Sequence, residues 1–125
     1  MCGLTGFLTL EKNYSQSDLN NKITKMTNLL SHRGPDDDGI WINYNYGIGL
    51  GHRRLSILDL SKNGKQPFKS SSGRYILLFN GEIYNYQKIK NEINLEKNYS
   101  WKTNSDTEVI VEAFETWGIK NTVPK

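Results

Sequence analysis

The 125-residue chain is long enough to bury one modest core and fits a single domain. Hydrophobic residues make up 36% and charged residues 23%, as is ordinary for a soluble globular protein, and the net charge of +3 is mild. The positive charges are scattered rather than striped, so we predict no nucleic-acid binding. No stretch approaches the roughly 20 apolar residues that cross a bilayer, so we predict no membrane span.

The single cysteine excludes an internal disulfide and fits a reducing compartment. No secretory signal is visible, because the apolar run at residues 3–10 lacks a preceding basic region and is followed at once by Glu11. We therefore expect a cytoplasmic protein.

The first half of the chain predicts a strand, a helix and two further strands. The helix would be capped by Ser15 or Ser17 and would bury a stripe at helical spacing, and Gly34-Pro35 would break the chain after it. Asn45 would lie in a tight turn between the two later strands. The predicted strands are residues 3–10, about 39–44 and 47–55; the helix ends near Leu30, with Leu19, Ile23, Met26 and Leu30 as its stripe.

The second half predicts one strand and two helices. Residues 75–79 (YILLF) form a continuous apolar run, which predicts a central strand covered on both faces. A short helix is predicted for residues 86–93. The last helix would begin with a capping box of Ser105 and Glu108 and stop at Gly118. Its predicted apolar face is Val109, Ile110, Ala113, Phe114 and Trp117. Without regular βαβ alternation, these elements predict an α+β fold with a largely antiparallel sheet.

Cys2 is the residue that says most about chemistry. Elsewhere in a chain, a lone cysteine is most often a small buried hydrophobe. At position 2, removal of the initiator methionine would place the thiol and a free α-amine on one residue. An α-amine has a reference pKa of about 7.7–8.0, so it can accept the thiol proton near neutral pH without a histidine. Position alone leaves both interpretations open.

Five segments, taken together and in order, resemble class II glutamine amidotransferases. Any one of them would be a weak signal, but they span nearly the whole chain. Three of them (RGPD, RLSILD and NGEIYNY) are similar to asparagine synthetases in particular. The segments are residues 1–7 (MCGLTGF), 32–36 (HRGPD), 54–59 (RLSILD), 80–86 (NGEIYNY) and 105–108 (SDTE).

The resemblance implies that Cys2 is the nucleophile and that Asn80 and Gly81 form an oxyanion hole from a side-chain amide and a backbone N–H. It also implies that Arg54 grips the α-carboxylate of glutamine, for which a guanidinium fork is suited. Taken without the resemblance, Asn80-Gly81 is a plain turn after a strand and Arg54 is surface charge beside Arg53.

The rest of the implied site surrounds the substrate. Glu82 and Asp106 would face the substrate ammonium, although Asp106 alone also fits a first-turn acid favoured by the helix dipole. The implied lining of the glutamine pocket, mainly by backbone, is Leu55, Ser56, Ile57 and Leu58.

His32 and His52 suggest a Cys-His pair, but the α-amine makes one unnecessary, and His32 is predicted to lie in a loop. We also predict no metal. The aspartates at residues 36–38 resemble a calcium loop only faintly, because Gly34 stands where an acidic residue is required.

The resemblance implies that residues 1–125 are the N-terminal portion of a type 2 glutamine amidotransferase domain, an Ntn-hydrolase αββα sandwich. It would hydrolyse glutamine to glutamate and ammonia through a Cys2 thioester, without a cofactor. In asparagine synthetases, which are ligases, a C-terminal ATP-using domain then attaches the ammonia to adenylated aspartate. ATP and magnesium are expected only in that domain.

The family's glutaminase domain continues beyond Lys125, and residues 119–125 read as a linking loop, so we expect a truncated, incomplete sheet. An exposed apolar face, a homodimer or weak activity would follow. Retention of Met1 would block the α-amine and leave the chain inactive. Two alternatives stay open: a glutaminase that feeds another acceptor, such as a sugar, and an inactive fragment that only binds glutamine.

Overall fold

A computed structural model of the protein describes residues 2–11, 13–55 and 64–125. All strand pairs among them are antiparallel, which confirms the predicted α+β class. The chain divides into two compact units: the described residues up to 55 with 65–67 and 78–80, and residues 64, 68–77 and 81–125. The elements are β1 (Gly3–Leu8), α1 (Gln16–Leu29), β2 (Asp37–Asn43), β3 (Ile48–Arg54), β4 (Phe68–Lys69), β5 (Ile76–Leu77), α2 (Tyr86–Glu96), α3 (Asp106–Trp117) and α4 (Ile119–Thr122).

The first unit contains a three-stranded sheet in the order β1-β3-β2. In its register, Gly3 lies opposite Arg53 and Asp37 lies opposite Arg54. Successive side chains of a strand point to opposite faces, and residues directly opposite each other share a face. The register therefore assigns every side chain of the sheet to one of its two faces. One face packs against α1, and the other carries His52 and Arg54. The stacking of a second sheet in an αββα sandwich stays a prediction.

Two glycines in β3 let α1 approach the sheet closely. A Cβ on Gly51 would overlap Thr27 Oγ1, and one on Gly49 would lie 2.6 Å from the Phe7 ring and 3.3 Å from Ile23. Thr27 and Ile23 are fully buried at this contact. A larger residue at either glycine would push the helix away from the strand.

Ser15, one of the two predicted caps, begins α1. Its Oγ accepts a hydrogen bond from Asp18 N–H at 3.1 Å, and Asp18 Oδ2 accepts one from Ser15 N–H at 3.1 Å, which completes a capping box. The hydrogen bonds from Ser15 lower the pKa of Asp18. In the predicted stripe, Leu19 and Ile23 are buried and the other two residues are half-buried.

Residues 44–47 form the turn predicted between β2 and β3. The positive φ in this turn, 63°, belongs to Gly47 rather than to Asn45. The Gly47 carbonyl accepts a hydrogen bond from Thr9 N–H at 2.9 Å, so the turn also fixes the chain just after β1.

The second unit is built on α2 and α3. Ile89 and Ile93 pack against Val109 and Ala113 in its hydrophobic core. This contact confirms both helices. Of the apolar face predicted for α3, Val109, Ala113 and Trp117 lie at this core, whereas Ile110 and Phe114 are half-buried outside it. Gly118, with φ 78°, ends α3 as predicted.

Buried Glu108 ties α3 to the segment before it. Its carboxylate accepts hydrogen bonds from the Tyr99 hydroxyl (2.9 Å), the Lys102 N–H (2.9 Å), and the N–H and hydroxyl of Thr103 (2.7 and 2.8 Å). Burial, followed by this carboxylate, raises the pKa of Tyr99. The capping box predicted between Ser105 and Glu108 is therefore wrong: Glu108 bonds these donors instead, and Ser105 Oγ caps α3 by accepting a hydrogen bond from Thr107 N–H at 3.0 Å.

Two other predictions are also wrong. Of residues 75–79, only Ile76 and Leu77 form a strand, its described partner is the two-residue β4, and all five residues are half-buried. An apolar run indicates burial but does not report how many strands lie beside it. Residues 119–125 are not simply a loop, since they contain α4, whose buried Thr122 hydroxyl donates to Ala113 O at 3.0 Å.

Candidate active site

Cys2 lies directly before β1 and is half-buried. Its Sγ accepts a hydrogen bond from Leu55 N–H at 3.3 Å and can donate one to Leu55 O at 3.6 Å. The alternation of β1, continued by one residue, assigns Cys2 to the sheet face of His52 and Arg54. Backbone groups at the end of β3 thus hold the sulfur in place.

Arg54 is the last residue of β3, and its side chain is on the face opposite α1. The neighbouring Arg53 points the other way, where its guanidinium donates to Thr27 O at 3.2 Å and to Asn28 Oδ1 at 2.6 Å. Two adjacent arginines therefore have different surroundings. Arg53 is bound to α1, whereas Arg54 shares a face with the cysteine.

The RGPD loop packs against the backbone of these arginines. A Cβ on Gly34 would overlap the Arg53–Arg54 peptide group, so only glycine fits there. Asp36 N–H donates to Arg54 O at 3.1 Å. The loop therefore fixes the end of β3 from outside the sheet. His32 precedes it outside any helix or strand, as predicted, and is exposed, with a ring nitrogen 3.1 Å from Leu29 O.

His52 is almost completely buried, with 1% of its surface exposed. Burial and then the positive charge of Arg54 lower its pKa to about 4, although Asp37 acts in the opposite direction. The imidazole is therefore neutral at pH 7 and only weakly basic. This property makes His52 a poor general base; the absence of a catalytic role for His32 stays a prediction.

Asn80 is exposed and follows a residue that is firmly held. The buried side-chain amide of Gln66 bonds both backbone groups of Phe79: Phe79 N–H donates to Gln66 Oε1 at 2.6 Å, and Gln66 Nε2 donates to Phe79 O at 3.1 Å. Gln66 in turn lies against β2, since a Cβ on Gly39 would overlap the Gln66 carbonyl oxygen.

Gly81, Glu82 and Asp106 belong to the second unit. Gly81 and Glu82 are exposed, and Asp106 is half-buried at the start of α3. Asp106 Oδ2 accepts a hydrogen bond from Ile83 N–H at 2.8 Å. The Asp106 carboxylate therefore lies beside Ile83, the residue after Glu82; the role of both acids toward a substrate stays a prediction.

The structure brings together Cys2, Arg54 and Leu55. The remaining residues of the implied pocket lining, Ser56, Ile57 and Leu58, lie outside the described residues. Sequence reasoning missed Gln66 and Gly34, both of which fix the backbone next to site residues. For Gly34, the only signal in the sequence was a glycine within a polar motif, which can indicate a close approach of another backbone segment. Gln66 lies in a polar loop and carried no such signal.

No three His, Cys, Asp or Glu side chains come together as a metal site among the residues described. In the same part of the chain, no helix is long and apolar enough to cross a membrane.

The chain belongs to the glutamine amidotransferase domain family, whose model matches residues 1–125.

The chain is also similar to longer curated proteins. It is 40% identical over 134 residues to the putative asparagine synthetase [glutamine-hydrolyzing] 2 of Methanocaldococcus jannaschii, covering 94% of this chain and 24% of the relative. It is 43% identical over 119 residues to asparagine synthetase [glutamine-hydrolyzing] 2 of Bacillus subtilis, covering 95% and 15%. It is 36% identical over 127 residues to amidase chry2 of Gibberella zeae, covering 95% and 18%. The chain thus spans less than a quarter of each.

Proposed function

We propose that this chain hydrolyses the carboxamide of glutamine, with Cys2 as the nucleophile. The observation that supports this most directly is the position of the sulfur. Leu55 backbone groups hold it at the end of the strand that carries Arg54, in a member of the glutamine amidotransferase domain family.

The proposed reaction has two steps, and both need Met1 to be removed. The freed α-amine of Cys2 takes the thiol proton, and the sulfur attacks the carboxamide carbon to form a tetrahedral oxyanion. The C–N bond then breaks, the protonated amine supplies a proton to the leaving nitrogen, and ammonia departs. Water activated by the same amine attacks the resulting γ-glutamyl thioester, which releases glutamate and restores the thiol.

The other site residues act on the substrate in this proposal. The Asn80 side-chain amide and the Gly81 N–H stabilise the oxyanion, Arg54 binds the α-carboxylate, and Glu82 and Asp106 bind the ammonium. The backbone of residues 55–58 lines the pocket. No step needs a metal or a cofactor.

We further propose that the ammonia serves ATP-dependent synthesis of asparagine from aspartate in a longer protein that also carries a C-terminal synthetase domain. The names of the Methanocaldococcus jannaschii and Bacillus subtilis relatives support this use. ATP and magnesium would act in that second domain. The cytoplasmic location, the homodimer and the absence of nucleic-acid binding stay predictions.

A different acceptor for the ammonia is the second candidate, because a relative at 36% identity is named an amidase rather than a synthetase. The full-length protein separates the two candidates. Glutamine-dependent asparagine formation from aspartate and ATP supports the first, and glutamate release without asparagine supports the second.

The single cysteine makes the glutaminase proposal simple to test. Intact mass identifies the fraction of chains that has lost Met1, and iodoacetamide should add one carbamidomethyl group and abolish glutamate release in proportion. Cys2→Ala should accept no label and show only background activity. Glutaminase activity that persists in Cys2→Ala would sink the proposal. Processed wild type that binds glutamine without releasing glutamate would instead identify a non-catalytic binding fragment.

A further inference from the structure

Gln66 holds the backbone directly before Asn80. Its side-chain amide is 7% exposed and pairs with both the N–H and the C=O of Phe79, at 2.6 and 3.1 Å. A side chain that bonds both groups of one residue substitutes for a neighbouring strand, and it fixes the direction in which the chain leaves Phe79.

The Gln66 backbone is itself fixed on the sheet. Its carbonyl oxygen lies against Gly39 of β2, at a position where no side chain fits. Gly39 lies opposite His52, which places it on the face that also carries Arg54 and, by alternation, Cys2. An ion pair of 3.4 Å between Lys65 and Asp37 lies beside it. The contacts therefore run from the face of the nucleophile through Gln66 to the residue before Asn80.

We propose that Gln66 is a positioning residue for the oxyanion-hole amide of Asn80. The inference rests on the proposed function, because it gives Asn80 that role. A hydrogen-bond donor stabilises an oxyanion only if it is already aimed when the charge develops, and a displacement of about 1 Å can cost on the order of 100-fold in rate. Asn80 is exposed, so the burial of its own side chain does not supply that aim.

The first test is a double-mutant cycle on glutamate release by the full chain. Gln66→Ala should lower kcat by roughly 10- to 100-fold and change KM less than about threefold, since the oxyanion exists only after attack. Asn80→Ala should lower kcat by roughly 10²–10³-fold. If Gln66 acts through Asn80, the double variant should be no more than about threefold slower than Asn80→Ala. Multiplied losses would overturn the proposal.

A general loss of folding is separated from mispositioning by counting active sites. Because an unfolded chain also exposes a reactive thiol, the folded fraction of each variant is taken from urea denaturation and the fraction without Met1 from intact mass, and rates are divided by the product of the two fractions. A normalised kcat of Gln66→Ala equal to that of wild type would reduce Gln66 to a structural role and overturn the inference.

Gln66→Glu offers a pH readout that a purely structural role would not produce. The introduced carboxyl would be buried, so its pKa should lie above the usual value of about 4.3. When protonated it can both donate to Phe79 O and accept from Phe79 N–H; when ionised it loses the donor. The ratio of its kcat to that of wild type should therefore rise by roughly tenfold or more between pH 8 and pH 5.5.

Gln87→Glu makes the same chemical change at an exposed position of α2 and is the matched control. Its ratio to wild type should stay level across this pH range. A level ratio for Gln66→Glu as well would contradict the proposal.

A last measurement works without activity. Hydrogen exchange of the Phe79 amide should be at least about tenfold faster in Gln66→Ala than in wild type, with little change in Gln87→Ala. Unchanged protection of Phe79 would overturn the positioning role. An inactive wild type with a protected Phe79 amide would instead mean that Gln66 does hold the Phe79 backbone and that the proposed function is wrong. Activity that depends on Cys2 but not on Gln66 would leave the function standing and remove the inference.

Discussion

His52 is on the same sheet face as Cys2 and is nevertheless unsuited to act as a base, and its burial explains why. Burial removes the water that would stabilise an imidazolium, and the charge of Arg54 disfavours it further. The ring is held neutral on the same sheet face as Cys2. A proton acceptor with a pKa of about 4 would take up little of the proton of a thiol at pH 7.

The same burial makes His52 a source of acid sensitivity. Its folded pKa of about 4 lies below the unfolded value of about 6.5, so the unfolded chain binds more protons as the pH falls. The contribution of His52 to stability is therefore fully present above about pH 6.5 and is lost progressively toward pH 4, by roughly 3 kcal/mol.

We expect His52→Gln to flatten the fall in the free energy of unfolding between pH 7 and pH 4, as measured by urea denaturation. His32→Gln, which changes the exposed histidine in the same way, should keep the wild-type slope. If both variants show the slope of wild type, His52 is not the group responsible.

Single residues also mark the limit of prediction from sequence. The motifs singled out Arg54 rather than Arg53, and the strand register shows that the two arginines point to opposite faces; the role of Arg54 toward a substrate stays a prediction. Gln66 could not be found in this way. Its partners are backbone groups 13 positions away, and a backbone partner leaves no pattern in side-chain chemistry.

At the scale of secondary structure, helices were predicted better than strands. A periodic apolar stripe identifies a helix from local residues alone, as α1 and α3 show. The length and neighbours of a strand depend on residues distant in the chain, which is why residues 75–79 were misread. The wrong capping box at α3 has a different cause, because donors only five to nine residues earlier in the chain bond the Glu108 carboxylate.

That carboxylate should be a large contributor to the stability of the second unit. Glu108→Gln would replace an oxygen that accepts from buried donors with an NH2 group facing them, so we expect a loss of roughly 2–4 kcal/mol in the free energy of unfolding. Glu92→Gln makes the same change at a solvent-exposed ion pair with Lys125 and should cost much less. Equal losses in the free energy of unfolding for the two variants, measured by urea denaturation, would contradict the role of Glu108 in stability.

For the molecule as a whole, we expect substrate binding to raise the free energy of unfolding. Glutamine that binds only the folded chain, at about 100 times its Kd, would add about 2.7 kcal/mol and raise Tm by on the order of 10 °C. The measurement is made in the Cys2→Ala variant, because this variant should bind glutamine without hydrolysing it.

In that background, Arg54→Lys should remove most of the glutamine-induced rise in Tm, since a lysine does not reproduce a bidentate contact with a carboxylate. Arg53→Lys is the matched control: it weakens a contact with α1 and should lower Tm without glutamine, yet keep the rise. A rise retained in Arg54→Lys would mean that another group binds the α-carboxylate.

The contact between Cys2 and Leu55 has a consequence for how this molecule can vary. The distance between the Cys2 sulfur and the Cα of Arg54 is set by the backbone hydrogen bonds between β1 and β3 and by the bond from Leu55 N–H to the sulfur, not by side-chain packing. A single substitution cannot change this distance by a small amount, because the register of two strands shifts by whole residues. A shift of one residue would turn every side chain to the opposite face of the sheet. Under the proposed function, asparagine, which is one methylene shorter than glutamine, would leave its carboxamide about 1.5 Å short of the sulfur, with no easy means of compensation.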